Sequence, residues 1–288
     1  MKSRPFLRAV LLGGGLMLLV LLGWHFLRRP APPVPAPAND FNPAQFVKAP
    51  PRLDAPQVAT DMEVVDIMLG MARVRPDDRV VDLGSGDGRI LIAAARSYGA
   101  HGIGVDIDPA RVRESIENAR AAGVASFITF RRQDLFQTPI GDADVLTLYL
   151  LPEINLRLRP RILAEMRPGT RVVSHDFDMG DWHWDQRRHV GTATIYLWIV
   201  PARVQGRWTL TSDGQAFALD LQQQYQALNG SIAVGDRQVR AEQGRVTGNL
   251  VRFIADLGQG RQTFEGRLEG NTIVPTNSSA PWRAVRAG

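Results

Sequence analysis

The stretch VDLGSGDGR at residues 81–89 sets Gly84, Gly86 and Gly88 among two acids, Asp82 and Asp87, between an apolar start and the apolar run ILIAAA. A glycine-rich turn between a strand and a helix lets a ligand approach the backbone, in the crevice beyond the carboxyl ends of a parallel sheet. The spacing here is G-x-G-x-G, not the G-x-G-x-x-G of dinucleotide-binding loops. Charge discriminates further, because one carboxylate about 4 Å from one phosphate charge is unfavourable by roughly 4 kcal/mol at an effective dielectric near 20. A cationic ligand is attracted by the same acids. Asp106 lies 22 residues after Gly84 and ends the next predicted strand, where it can accept both hydroxyls of a ribose. The pattern suits a nucleoside carrying a sulfonium and an ammonium group, which describes S-adenosylmethionine, better than it suits a dinucleotide.

Alternating elements must hold these residues in place. Strands are predicted at 79–83, 102–106, 127–131, 143–150 and 170–175, and helices at 87–98, 109–122 and 153–166. Another helix follows the Thr60-Asp61 pair, with Met62, Val65, Met68, Leu69 and Ala72 on one face. Strands alternating with helices imply a mostly parallel sheet covered on both faces. TATIYLWIV at 192–200 has no helix before it and reads as one antiparallel strand closing that sheet. Beyond Pro201 short alternating stretches are broken by Gly, Asn and Asp, an all-β signature. GRVTGNLV and GRLEGNTI recur 22 residues apart, and each Gly-Asn suits a hairpin turn. A small β-sheet or partial barrel is expected there.

The N-terminal end is different in kind. Residues 9–27 form a 19-residue apolar run interrupted only by His25, between Arg8 and the Arg28-Arg29 pair. A helix of that length nearly spans a bilayer core of about 30 Å. A signal peptide is the other reading, but the small-residue APA at 36–38 lies well beyond the run, and an uncleaved anchor is preferred. A proline-rich connector follows. The chain thus divides into an anchor at 1–29, a linker at 30–57, an α/β domain at 58–204 and a β-rich domain at 205–288.

Of the net charge of +5, residues 1–53 carry seven cations against one acid, whereas 54–204 carry 18 against 21. The basicity belongs to the tail, so a nucleic-acid partner is not expected. Cysteine is absent, which excludes disulfides, thiolate metal sites and cysteine nucleophiles. His183 and His189 sit in an irregular run, and no metal is expected.

VDLGSGDG followed by GVDIDP and RQDLF resembles the first three motifs of class I S-adenosylmethionine-dependent methyltransferases, over roughly residues 58–202. The resemblance implies a Rossmann-like sheet and a set of cofactor-binding residues. Asp82, Gly84, Ser85 and Gly86 would receive the methionine portion, Asp106 the ribose, Ile107 the adenine face, and Asp134 with Leu135 the adenine edge. More loosely, TLYLLPEINLRLRPRILAEMRPGTRVVSHDFDMGDW at 147–182 is similar to lysine methyltransferases of the ATP synthase c subunit and the adenine nucleotide translocase. That similarity implies a protein lysine as acceptor, on a target that the anchor would bring close to a membrane.

LYLLPE lacks the Asn/Asp-Pro-Pro-aromatic pattern of nucleobase and glutamine methyltransferases. Tyr149 in that segment and His175, Asp176 and Asp178 at the end of the fifth strand are the catalytic candidates, since acids, a proton acceptor and an aromatic wall suit a lysine. Two other functions compete: a membrane-tethered, catalytically silent cofactor-binding module, and an NAD-dependent oxidoreductase disfavoured by the loop spacing. Lys2, Arg4 and Arg8 before the anchor lean toward a C-terminal part outside the cytoplasm. The methyl donor is made in the cytoplasm, and on that ground the catalytic domain is expected on the cytoplasmic face.

Overall fold

The computed structural model describes residues 60–288. The predicted anchor and the whole of the predicted linker lie outside the described residues, and among the described residues no helix is long and apolar enough to cross a membrane. The α/β part begins with α1 (Met62–Met71) and continues β1 (Arg79–Leu83), α2 (Arg89–Tyr98), β2 (His101–Asp106), α3 (Pro109–Ala121) and β3 (Ile128–Arg132). It is completed by β4 (Val145–Leu148), α4 (Pro152–Glu165), β5 (Arg171–His175), β6 (Gln186–Val190) and β7 (Ala193–Ile199).

These form one seven-stranded sheet of order β3-β2-β1-β4-β5-β7-β6. β1 pairs in parallel with β2 and β4, β2 with β3, and β4 with β5. β7 is the one reversed strand, antiparallel to β5 on one side and β6 on the other. The expected sheet is therefore present, with β6 added to it. β6 is QRRHV and largely exposed, so it lacks the apolar alternation by which strands are recognised. It is a strand because β7 beside it supplies a ladder.

Neighbouring residues on a strand feed opposite layers. Val80 packs with α1, α2 and α3, while Val81 packs with α4 and the Trp182–Trp198 pair. Burial on both faces is why β1 and β4 read as continuous apolar runs. The helix starts have local causes. Gly88 stands at the N-cap of α2 with φ +82°, so that helix begins two residues later than expected. Asp108 caps α3 by accepting the Ala110 N–H, and Pro109 opens the helix.

After Ile199 the chain builds a second core. β8 (Gly206–Ser212), β9 (Gln215–Gln224), β10 (Ala227–Val234), β11 (Arg237–Thr247), β12 (Leu250–Asp256), β13 (Arg261–Glu269), β14 (Thr272–Pro275) and β15 (Trp282–Arg286) pair successively. β15 returns to β8, giving a closed eight-stranded barrel. Closure removes the free edges that an open or partial sheet would leave. Both Gly-Asn repeats are hairpin turns, with Gly248 and Gly270 each at φ +58°. Side chains fill the interior, among them Trp208, Leu221, Phe253 and Phe264, the last two stacked at 5.0 Å.

Candidate active site

The glycine loop leaves β1 at the carboxyl edge of the sheet. Gly84 has φ +79°, and a Cβ there would lie 2.9 Å from the Leu150 side chain. Gly104 on β2 carries the loop from below, since a Cβ at that position would come within 2.9 Å of Ser85 Cβ and 2.5 Å of the Phe130 ring. Small residues thus let the backbone turn tightly and leave its upper surface open to a ligand.

The loop amides are already engaged. Gly84 and Ser85 N–H groups donate to the Val105 carbonyl at 2.8 and 2.9 Å, and Gly86 N–H donates to Asp106 Oδ2 at 3.0 Å. A pyrophosphate cradle needs those donors for its ligand. Here they serve the fold, which leaves carbonyl oxygens and carboxylates to meet a cation.

Asp82 is almost wholly buried beneath the loop, where Thr147 Oγ1 donates to its Oδ1 at 2.6 Å. Burial pushes its carboxyl up to about 7, the charges of Asp106 and Asp87 push the same way, and the Thr147 bond opposes them. Asp106 Oδ1 accepts the Asp108 N–H at 2.9 Å. Burial raises its carboxyl above the usual range, and the two backbone donors only partly offset that.

Asp87 does not join them. Burial would raise its carboxyl, but Arg89 binds it through both Nε and Nη2 and holds it below the ordinary value. Its charge is spent inside the protein, so the attraction for a cation rests on Asp82 and Asp106. Arg89 Nη1 also donates to the Thr60 carbonyl at 2.7 Å, tying the segment before α1 to the loop.

Beyond the loop, Ile107 is exposed immediately after β2. Asp134 caps the short 3-10 helix Leu135–Gln137, its Oδ1 accepting the Phe136 N–H at 2.8 Å. Leu135 packs against the apolar layer beside α4. The motif residues scattered over 54 positions, from Asp82 to Leu135, thus lie at the carboxyl ends of three adjacent strands, β1, β2 and β3.

Further along the carboxyl edge of the sheet Tyr149 follows β4 and His175 ends β5. Their rings stack at 3.9 Å, and Phe177 lies beyond Tyr149 at 6.5 Å. His175 is buried, with Nδ1 3.1 Å from Thr60 Oγ1 and Nε2 3.4 Å from Asp176 Oδ2. Burial lowers its pKa against the pull of Asp176 and Asp61, so the ring is held neutral behind Tyr149. Tyr149 is raised by burial and by the charges of Asp176 and Asp61, and keeps its proton.

Asp176 stands at φ +61°, unusual for a residue other than glycine. Its N–H donates to the Thr194 carbonyl at 2.7 Å and its Oδ1 accepts the Thr194 N–H at 2.8 Å, locking the end of β5 onto β7. Asp178 Oδ1 accepts the Gly180 N–H at 3.0 Å. Asn155 on α4 donates to the Phe177 carbonyl at 3.1 Å and to Ser174 Oγ at 3.2 Å, holding the start of this loop.

Thr147, Arg89, Thr60 and Asn155 were not among the residues singled out from the sequence. Thr147 carried a signal, lying two residues before Tyr149 on the strand next to β1. Arg89 reaching Thr60, Thr60 reaching His175 and Asn155 reaching Phe177 act across 22 to 115 positions on ordinary helix or turn residues, with no local pattern to mark them. Among the described residues no cluster of His, Asp or Glu could hold a metal ion.

A family model described as the ANTKMT methyltransferase domain matches residues 82–186. A protein-lysine N-methyltransferase of Saccharolobus islandicus is 38% identical over 150 residues, covering 50% of this chain and 93% of that protein. The adenine nucleotide translocase lysine N-methyltransferase of Mus musculus is 33% identical over 153 residues, 53% of this chain and 66% of its own. Among solved structures, an RNA methyltransferase from Salinibacter ruber in complex with S-adenosyl-L-homocysteine shares 50% identity. The match covers 51% of this chain and 96% of that one, with a TM-score of 0.50.

Proposed function

The chain belongs to the family of S-adenosylmethionine-dependent protein-lysine N-methyltransferases, and we propose that it methylates the side-chain nitrogen of a lysine in a protein substrate. The observation that carries this reading is the makeup of the acceptor rim. Tyr149 and Phe177 supply aromatic walls, and Asp176, whose carboxylate meets the His175 ring stacked on Tyr149, supplies negative charge, with Asp178 two residues further along the same loop. An ammonium is drawn to such a surface, whereas RNA phosphates are repelled by it. That the Salinibacter relative is named an RNA methyltransferase therefore does not decide the acceptor.

In this reading Asp82 and the Gly84–Gly86 backbone face the methionine end of the donor, Asp106 takes the ribose hydroxyls, and Ile107, Asp134 and Leu135 border the adenine. The donor supplies a methyl group already activated by its sulfonium. Transfer breaks the S–CH3 bond and forms an N–CH3 bond, so the protein has chiefly to align a lone pair with that carbon, a contribution of roughly 7–11 kcal/mol. The lysine must first lose a proton, which costs about 4–5 kcal/mol at pH 7 from its reference pKa. Asp176 and Asp178 border the place where that proton leaves, and the neutral His175 holds the Tyr149 ring against the acceptor. His175 is thus a positioning residue, with its two nitrogens turned to Thr60 and Asp176.

The anchor at 1–29 and the linker at 30–57 complete the proposal: a membrane-held enzyme with its catalytic part on the cytoplasmic face, acting on a membrane-associated protein. The decisive experiment combines the full chain, methyl-labelled S-adenosylmethionine and a membrane protein extract. Label recovered as methyl-lysine after hydrolysis supports the reading. Label recovered in RNA, or S-adenosylhomocysteine binding with no transfer to any protein, would replace it with nucleic-acid methylation or with a silent binding module.

A further inference from the structure

The matched half of this chain accounts for 93% of the Saccharolobus enzyme and 96% of the Salinibacter one, so the barrel has no counterpart in either. What it adds is visible where it meets the α/β part. Tyr225 and Gln226 form the turn from β9 to β10, and Tyr225 is held at φ +54°, a conformation unfavourable for a bulky side chain. There its hydroxyl donates to Asp181 Oδ2 at 3.0 Å and its ring stacks on Trp182 with centroids 6.0 Å apart. Gln226 Nε2 donates to the His183 carbonyl, and Arg245 on β11 pairs with Asp185. Asp181, Trp182, His183 and Asp185 each meet a barrel side chain.

The near end of the same loop leaves β5 at the acceptor rim, where Phe177 flanks Tyr149. Two residues one turn apart on α4 grip it from the other side. Asn155 holds the Phe177 carbonyl, while Arg159 donates to the Met179 carbonyl at 2.6 Å and pairs with Asp181. Asp181 is therefore the point at which α4 and the barrel grip the loop together.

We propose that the barrel is a positioning domain for the acceptor. Tyr225, with Gln226 and Arg245, fixes the far end of the 177–185 loop so that Phe177 keeps its place beside Tyr149. An acceptor lysine then meets a preset rim. The inference rests on the reading of that rim as the acceptor site, and it makes Tyr225 a positioning residue that never touches the substrate.

The test uses the full chain with Tyr225→Phe and Arg245→Ala. Tyr225→Phe retains the ring and its stacking, and removes only the hydroxyl on Asp181. Amide hydrogen exchange over 177–185 is expected to quicken about three- to tenfold in each variant, the effect of one lost solvent-exposed hydrogen bond on a local opening. S-adenosylhomocysteine affinity by calorimetry stays unchanged. With poly-L-lysine as the acceptor probe, KM rises about threefold or more while kcat stays within about twofold, the pattern of lost acceptor positioning.

Unchanged exchange in both variants would overturn the proposal, as would a parallel loss of S-adenosylhomocysteine affinity, which would make Tyr225 a general element of the fold. Failure of the wild-type chain to bind S-adenosylhomocysteine would overturn the underlying reading instead, and calorimetry on the unaltered protein distinguishes the two.

Discussion

Asp82 shows how the demands of folding and of binding diverge at a single carboxyl. Burial pushes its pKa up to about 7, so the ligand-free protein holds a proton that the unfolded chain releases between about pH 4 and 7. Its contribution to stability is full below that window and is lost as the pH rises through the folded-state value. Asp82→Asn should therefore raise the melting temperature of the ligand-free protein at pH 8 and leave it little changed at pH 4, as differential scanning calorimetry can measure. A cation in the cradle favours the carboxylate, so donor binding should release a proton near neutrality and weaken as the pH falls below about 7. The same substitution should abolish that proton release in isothermal titration. It should also weaken S-adenosylmethionine binding by about 10–100-fold, the value of a bond to a charged group.

At the scale of elements, the cradle depends on what its neighbours lack. Gly104→Ala places a methyl group against the Phe130 ring and Ser85, and overpacking of this kind typically destabilises by about 1–3 kcal/mol. Because Ser85 belongs to the loop, melting temperature and S-adenosylhomocysteine affinity should fall together in this variant; a fall in stability alone would disconnect β2 from the cradle.

The opposite edge of the sheet behaves differently. Arg171 at the start of β5 pairs with Asp78 at 2.7 Å, both side chains nearly buried, and its other nitrogens donate to the carbonyls of Ala72, Arg73 and Asp144. Arg171→Ala leaves Asp78 without its cation and should cost about 3–5 kcal/mol in urea unfolding. The affinity of the folded fraction for S-adenosylhomocysteine should not change, since the pair lies at the end of the sheet away from the glycine loop. Loss of affinity in the folded protein would show instead that the two edges are coupled.

For the molecule as a whole, the proposed division of labour assigns attachment to the N-terminal segment, donor chemistry to the sheet and acceptor positioning to the barrel. Removing residues 1–57 should move the protein from the membrane fraction to the soluble one with no change in S-adenosylhomocysteine affinity. Thr60 must be retained, because its carbonyl receives Arg89 and its hydroxyl meets His175. Sedimentation of the truncated protein with membranes would defeat the anchor proposal.

The G-x-G-x-G turn, the acid ending the second strand and the apolar runs between them are local properties, and from them the donor, the sheet and its reversed strand follow by reading the sequence alone. Backbone sterics and burial on both faces impose those patterns within a few residues. Tertiary structure decided what depends on distant partners. It tied Arg89 to the Thr60 carbonyl, turned the loop amides inward, placed His175 behind Tyr149 and closed the β-rich part into a barrel. Each of these is a pairing between groups whose separation along the chain carries no energetic trace until the fold brings them together.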